Sequence, residues 1–161
     1  MKRIIAIFLF LITLCGCKGG KITPYLGGIA FRGEMTYYNE SYAFLGELSK
    51  EGKLRLEMTA PESLSEMVFT VDSDGTVAEY KGIVYRPVEG SMPFASIIDR
   101  LYLSLFEIGA NGETADKNGV LKHEGEAPCT LYLSPTGLPQ KLTIDRDGFF
   151  VDFYNIKITE D

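Results

Sequence analysis

Phe31-Arg-Gly-Glu-Met-Thr-Tyr37 and Leu54-Arg-Leu-Glu-Met58 decide the fold, because apolar or small residues alternate with polar ones in both stretches. A period of two is typical of a half-buried antiparallel strand. The alternation returns over residues 42–48 and 67–71, and turn-forming pairs such as Glu51-Gly52 and Asp74-Gly75 separate the runs. The first half of the chain therefore predicts a meander of about five or six strands that ends near residues 83–85.

The period changes to that of a helix over residues 94–108. Apolar residues follow the i, i+3, i+4, i+7 rule at Phe94, Ile97, Ile98, Leu101, Tyr102, Leu105 and Ile108. The opposite face is predicted to carry Asp99, Arg100, Ser104 and Glu107. Ser91 is the expected N-cap, and Gly109 is placed to end the helix.

Strand patterns return in the second half, over residues 119–123, 129–133 and 142–144. A closing hairpin turns at Asp147-Gly148, and a phase slip before Ile156 predicts a bulge near Asn155. Two strand meanders joined by one amphipathic helix indicate an α+β fold, with the helix packed on an antiparallel sheet.

The N-terminus has the organisation of an export signal. Lys2 and Arg3 precede an apolar run over residues 4–14, which is too short to span a bilayer as a helix. The following Leu14-Cys15-Gly16-Cys17 resembles the bacterial lipobox. That resemblance implies cleavage after residue 16, a diacylglyceryl thioether on Cys17, and an acyl chain such as palmitate on the new amine.

The predicted organisation is a signal peptide at 1–16, a lipidated Cys and flexible glycine-rich tether at 17–28, and a single domain at 29–161. The lipobox places this domain at the extracytoplasmic face of the cell membrane, or on an outer membrane if the host has one. The membrane is then a partner through the N-terminal lipid.

A second resemblance concerns the domain. Lys53-Leu-Arg-Leu-Glu-Met-Thr-Ala-Pro61, Asp74-Gly-Thr-Val-Ala-Glu-Tyr80 and Leu133-Ser-Pro-Thr-Gly-Leu-Pro-Gln-Lys-Leu142 look like strand and hairpin motifs of the LolA/LolB-like lipoprotein-localisation fold. The resemblance implies a strongly curved antiparallel sheet, an incomplete β-barrel, with the helix on its concave side. It also implies that acyl chains or a lipidated protein bind in the half-barrel.

Charge and cysteine content exclude several classes of function. Loss of Lys2 and Arg3 leaves 14 basic against 22 acidic side chains, which changes the net charge from −6 to −8. Such a chain repels phosphate backbones, so nucleic acid is not an expected partner. After lipidation Cys129 is the remaining thiol of the mature chain, so no intrachain disulfide is expected.

Catalytic and metal sites receive little support, and we expect no enzyme, cofactor or metal. His123 is the single histidine and, between Lys122 and Glu124, is predicted to be a surface residue that nothing orients. Cys129 alternates with leucines and is predicted to be an inert core thiol. Asp72-Ser-Asp-Gly75 and Asp145-Arg-Asp-Gly148 are interpreted as hairpin turns, because neither continues as a calcium loop.

The apolar interior offers the more specific hypothesis. A set of side chains is expected to converge between helix and sheet: Met35, Leu56, Met58, Met67, Phe69, Leu101, Tyr102 and Leu105. They form either a filled core or the lining of an acyl-chain cavity, and the sequence leaves both open. We therefore expect a non-enzymatic, membrane-anchored envelope lipoprotein that binds a hydrophobic ligand or lipidated protein. The alternative is an interaction module that docks onto a cell-envelope or wall-processing protein.

Overall fold

The computed structural model describes residues 20–87, 93–144 and 148–159. Its ten strands are β1 Ile29–Tyr37, β2 Glu40–Leu48, β3 Leu54–Ala60, β4 Val68–Asp72, β5 Gly75–Tyr80, β6 Ile83–Tyr85, β7 Val120–His123, β8 Cys129–Leu133, β9 Pro139–Ile144 and β10 Phe149–Ile158. The helix α1 spans Pro93–Ala110, and a short 3-10 helix spans Glu62–Leu64. Within these ranges no helix is both long enough and apolar enough to cross a bilayer.

All ten strands form one antiparallel sheet in the order β6-β5-β4-β3-β2-β1-β10-β9-β8-β7. Among the described residues β6 and β7 pair with one neighbour each, so the sheet is open. The predicted α+β class is confirmed, and so is the first meander of six strands that ends at β6. The strong curvature of an incomplete barrel stays a prediction.

Details of the strand pattern are also confirmed. The pairing register of β1 and β10 shifts between Ala30 and Arg32, opposite Asn155, whose φ is 53°. The bulge therefore lies where the phase slip predicts it. In the β4–β5 turn, the Asp74 amide donates to the Asp72 carboxylate at 2.9 Å, which is a hairpin turn as expected. The second such turn and the expected N-cap Ser91 fall on residues outside the described ranges.

The helix packs on one face of the sheet. Phe94 contacts the rings of Tyr42 and Phe69, and the predicted apolar face enters the common core. Two expectations are corrected here. The helix continues through Gly109 to Ala110, because Gly109 keeps a helical backbone. Ser104 is completely buried rather than exposed, and its hydroxyl donates to the Ala127 carbonyl at 3.1 Å, since the loop after β7 covers that side of the helix.

Two glycines in the centre of the sheet lie under phenylalanine rings. Phe31 stands opposite Gly46 across β1 and β2, and Gly33 stands opposite Phe44. A methyl group at either glycine would overlap the facing ring. The two rings meet edge to face with centroids 6.2 Å apart. The alternation that predicts these strands therefore also places small and large residues where the core needs them.

The chain before β1 is held on the domain. Ile22 pairs with Ala115 through two backbone hydrogen bonds of 2.8 and 3.2 Å, and the Tyr25 amide donates to the Gly137 carbonyl at 2.8 Å. Ile22, Tyr25 and Leu26 pack against the core. Residues 22–28, which the sequence assigns to a flexible tether, are thus part of the packed domain, because three of their side chains are apolar and find core partners.

Candidate functional site

The predicted ligand-binding residues fall into two groups. Most of them lie in the core with at most 1% of their surface exposed: Met35, Leu56, Met58, Phe69 and Leu101. Met67 is partly buried and packs against that core. A side chain with no surface open to a water molecule has no water-sized void beside it, so the space around the first five is filled.

Tyr102 and Leu105 also belong to the core, with 9% and 3% of their surface exposed, but in addition they line an open groove of about 370 Å³. The groove lies between helix α1, the turn between β2 and β3, and the segment before β1. Its walls combine apolar side chains with nearly as much polar surface, and the full lining is Pro24, Leu26, Leu48, Lys50, Glu51, Gly52, Tyr102, Leu105, Phe106, Gly109 and Ala110. We call it the anchor-end groove, because its edge is formed by the segment that leads back to residue 17.

The helix places one stripe of residues along this groove. Tyr102 and Phe106, four residues apart, stack with ring centroids 5.7 Å apart and an interplanar angle of 20°. Phe106 remains 47% exposed, although it is one of the largest apolar side chains of the helix. Gly109 continues the stripe, and a β-carbon there would meet no atom within 4 Å. The stripe therefore presents an aromatic wall beside open space.

The turn between β2 and β3 closes the groove opposite the helix. The Ser49 amide donates to the Lys53 carbonyl at 2.9 Å, and Gly52 has a φ of 79°, which only glycine adopts without strain. The Phe106 ring lies 3.5 Å from the place where a β-carbon of Gly52 would stand. Lys50 and Glu51 supply a polar rim. The groove thus has an apolar floor and charged residues at one edge.

The sequence missed Leu26, Leu48, Phe106 and Gly109 as groove residues. The sequence contains no clear signal for Phe106, because single exposed apolar residues are common on protein surfaces. No local pattern brings Leu26 to the helix, since that contact depends on the hydrogen bond between Tyr25 and Gly137.

A second cluster contains His123, and here the prediction of a surface histidine is wrong. The side chain is 1% exposed, with Nε2 2.6 Å from the Glu107 carboxylate and Nδ1 2.8 Å from the Glu113 carboxylate. His123 shares its phase in β7 with the buried Leu121, and the charged neighbours Lys122 and Glu124 obscured that signal. We call Glu107, Glu113 and His123 the charge cluster.

The geometry of the charge cluster favours the protonated, imidazolium form of His123. Two carboxylates can both accept hydrogen bonds from the ring only when both nitrogens are protonated. Burial lowers the pKa of His123, but the hydrogen bonds and charges of Glu107 and Glu113 outweigh burial and raise the pKa above its usual 6.5. Gly125 covers the cluster so closely that a methyl group there would overlap both His123 and Glu107. The cluster therefore joins the end of the helix to β7.

Cys129 lies opposite His123 in the pairing of β7 and β8 and is 6% exposed. Burial raises the pKa of its thiol to about 11, so the thiol is protonated at neutral pH and is a weak nucleophile. Within the described ranges, no group of three or more histidine, cysteine or carboxylate side chains is arranged to hold a metal ion. Cys17 lies outside the described residues.

No protein-family model matches the chain, and no curated protein matches it significantly.

Proposed function

We propose that the chain is a non-enzymatic envelope lipoprotein, anchored through a lipid on Cys17, that binds an acyl chain in the anchor-end groove. One observation carries this proposal. The largest exposed apolar side chain of the helix, Phe106, lines a groove whose edge is the segment leading to Cys17. Apolar concave surfaces are where proteins bind hydrophobic ligands.

Chain length supports the position of the groove near the membrane. Among the described residues, which begin at residue 20, Ile22 is the first with a backbone hydrogen bond to the domain. Four residues separate it from Cys17, and a fully extended chain of that length reaches at most about 18 Å. A lipid on Cys17 would therefore keep the end of the domain that carries the groove close to the bilayer surface. The connection between Cys17 and the packed domain is therefore shorter than the tether of residues 17–28 that the sequence predicts.

The size of the groove suits part of a lipid. Its volume of about 370 Å³ lies at the lower end of the range for ligand sites, about 300–1,000 Å³. An acyl chain entering from the bilayer would lie on Leu105 and Phe106, with its polar end directed to the rim at Lys50 and Glu51. Burying apolar surface contributes about 25 cal/mol per Å² of contact.

We extend the proposal to the shape of the sheet. Ten strands about 4.8 Å apart would spread over roughly 45 Å if flat, whereas one helix with its side chains is about 10 Å wide. Even so, Phe69 in β4 and Leu131 in β8, on opposite halves of the sheet, are both fully buried in one core. This favours a sheet that curves around the helix as an incomplete barrel, as the LolA/LolB-like resemblance implies.

A second candidate function is docking onto an envelope protein. The observation that favours it is the exposed apolar hairpin of β5 and β6, in which Ile83 and Val84 are 71% and 64% exposed.

The acyl-chain proposal is tested by filling the groove. Full-length lipidated protein would be reconstituted in vesicles with a phosphatidylcholine that carries a photoactivatable diazirine in one acyl chain. Gly109→Leu adds a side chain to the open space without removing a contact, and it replaces a glycine inside a helix. We expect labelling of residues 102–110, read by peptide mass spectrometry, to fall about tenfold, equivalent to about 1.4 kcal/mol.

The matched control is Gly20→Leu, because a β-carbon at Gly20 also meets nothing within 4 Å but Gly20 is outside the groove. Equal labelling of Gly109→Leu and the control would reject the groove as the lipid site.

A further inference from the structure

The hairpin of β5 and β6 exposes apolar side chains on both faces of the sheet. Tyr80, Ile83, Val84 and Tyr85 are 40%, 71%, 64% and 44% exposed. Successive residues of a strand point to opposite faces, so both faces of β6 retain exposed apolar surface. We call these four residues the edge hairpin.

The backbone of the edge hairpin offers a pairing site. Lys81 and Gly82 have φ values of 49° and 81°, which fit a two-residue type I′ turn closed by the pair Tyr80 and Ile83. In such a hairpin the closing pair exchanges its hydrogen bonds within the hairpin, and the next residue directs its amide and carbonyl outward. Within the part of the chain that the structure describes, β6 is the last strand of the sheet, so Val84 presents its N–H and C=O to that edge.

The two end strands differ in protection. Soluble proteins block an end strand with charged side chains or proline to prevent pairing with other chains. At the opposite end of the sheet, β7 exposes Lys122 and buries its neighbours Leu121 and His123. In β6 all three residues are apolar or aromatic and all three are exposed, and the protective residues Lys81, Arg86 and Pro87 lie only outside the strand. This difference is expected for a strand that acquires a partner.

The edge hairpin lies at the end of the domain opposite the groove. Ile29 pairs with Leu48, and Leu48 with Leu54, so β3 starts beside the segment that leads to residue 17. β3 then runs away over seven residues, or roughly 20 Å. Lys81, in the β5–β6 turn, contacts Glu66, which follows β3, at 4.0 Å. With the anchor at Cys17, as proposed above, the hairpin faces away from the membrane.

The charges next to β6 indicate which kind of chain could pair with it. Lys81 precedes β6 and Arg86 follows it, so cations bracket the strand in a chain that is otherwise acidic. The contact between Lys81 and Glu66 joins two exposed side chains at 4.0 Å and is therefore weak, so the Lys81 ammonium can also pair with a carboxylate of another chain. Antiparallel pairing of two copies of β6 would bring Lys81 of one copy beside Arg86 of the other, which opposes self-association.

From these features we propose that β6 is a docking edge that accepts an extended segment of another envelope protein, with apolar residues at its centre and acidic residues at both ends. The segment adds an eleventh strand through the backbone of Val84, and its acidic ends pair with Lys81 and Arg86. Addition of a strand to a sheet edge is a common way for a domain to bind a peptide.

The test uses full-length protein in nanodiscs and a fluorescein-labelled peptide, Asp-Asp-Val-Thr-Val-Thr-Val-Asp-Asp, measured by fluorescence anisotropy. Val84→Pro removes the outward N–H without removing a hydrogen bond to β5, and Val84→Thr keeps that N–H with similar side-chain size. We expect the dissociation constant to rise about tenfold or more for the proline variant and to change less than about threefold for the threonine variant. A peptide with lysine in place of each aspartate should bind about tenfold more weakly than the acidic peptide.

Equal binding of wild type and Val84→Pro, equal binding of the two peptides, or no binding of the acidic peptide would overturn the proposal. So would concentration-dependent dimerisation that Val84→Pro abolishes, or binding of the hairpin to lipid vesicles without the peptide. Lipid labelling in the groove should be unchanged by Val84→Pro, and peptide binding should be unchanged by Gly109→Leu. Failure of either proposal is thus visible separately from failure of the other.

Discussion

Replacing His123 with leucine is expected to lower the free energy of unfolding by about 3 kcal/mol. The substitution leaves Glu107 and Glu113 without their buried cation, and their side chains are 19% and 28% exposed. Breaking a buried ion pair by removing one partner costs about 3–5 kcal/mol, and partial hydration of the two carboxylates favours the lower value. Urea denaturation followed by circular dichroism measures the change.

Lys122→Leu is the matched control, because Lys122 is the exposed neighbour of His123 in the same strand. It should change stability by less than about 0.5 kcal/mol. Adding Glu107→Gln and Glu113→Gln to His123→Leu should recover part of the loss, since no uncompensated charge then remains buried. Equal stability of His123→Leu and wild type would contradict the buried imidazolium.

The same cluster predicts how stability depends on pH. The pKa of His123 is raised in the folded state above the unfolded value near 6.5. A raised pKa means that the folded chain holds its proton more tightly than the unfolded chain. The contribution of His123 to the free energy of unfolding is therefore complete below the unfolded pKa and is lost as pH rises through the folded pKa. The stability difference between wild type and His123→Leu should therefore shrink as pH rises above about 6.5 and through the raised folded-state pKa.

The second large effect is expected at the pair Phe31 and Gly46. Phe31 is 4% exposed, and its ring lies directly over Gly46. Phe31→Ala should cost about 3–5 kcal/mol through loss of a buried ring. Gly46→Ala should cost about 2 kcal/mol, because the new methyl group forces the ring out of its place in a filled core.

A double-mutant cycle distinguishes overlap with the Phe31 ring from an intrinsic preference of the strand for glycine at position 46. In the Phe31→Ala background the ring is absent, so Gly46→Ala should add less than about 0.5 kcal/mol. Additive costs in the double variant would show that the glycine is required for another reason. The reciprocal pair Gly33 and Phe44 should behave in the same way, since the register pairs them equally.

Strand and helix positions follow from the sequence because both are local. Clean alternation, as in Leu54, Leu56 and Met58, fixes the face that each strand buries, and the type of turn fixes where the next strand starts. Even the bulge at Asn155 leaves a local trace, since it shifts the phase of the apolar residues on one side. These features need no knowledge of which strands meet.

The groove and the charge cluster depend on contacts between distant parts of the chain. His123 meets Glu107 and Glu113 only because β7 pairs at the far end of the sheet beside the end of the helix. Leu26 lines the same groove as Phe106 because the segment before β1 is hydrogen-bonded to Gly137 through Tyr25. The periodicity and composition of the sequence carry no information about contacts between distant residues. The charged neighbours of His123 therefore predict, wrongly, that it lies on the surface.

Because the core between helix and sheet is filled, the proposed ligand site moves from the core to the anchor-end groove. Met35 and Met58 each lie on the apolar face of a strand, where a residue that lines a cavity would also lie. Their side chains are nevertheless closed to water. Some of the predicted residues of the helix therefore lie only in the filled core, and others also line a groove. Leu101, Tyr102 and Leu105 all belong to the core, and the last two, one and four residues further along the helix, also border the open groove.

The most direct test of acyl-chain binding uses the absence of tryptophan from this chain. Phe106→Trp places the sole tryptophan in the groove, and Tyr132→Trp places one on the outer face of β8, where Tyr132 is 38% exposed. In vesicles that contain phosphatidylcholine with brominated acyl chains, the groove tryptophan should be strongly quenched and the control tryptophan should not. Adding Gly109→Leu should remove the quenching of Phe106→Trp. Equal quenching at both positions, or quenching that Gly109→Leu leaves unchanged, would contradict binding of an acyl chain in the anchor-end groove.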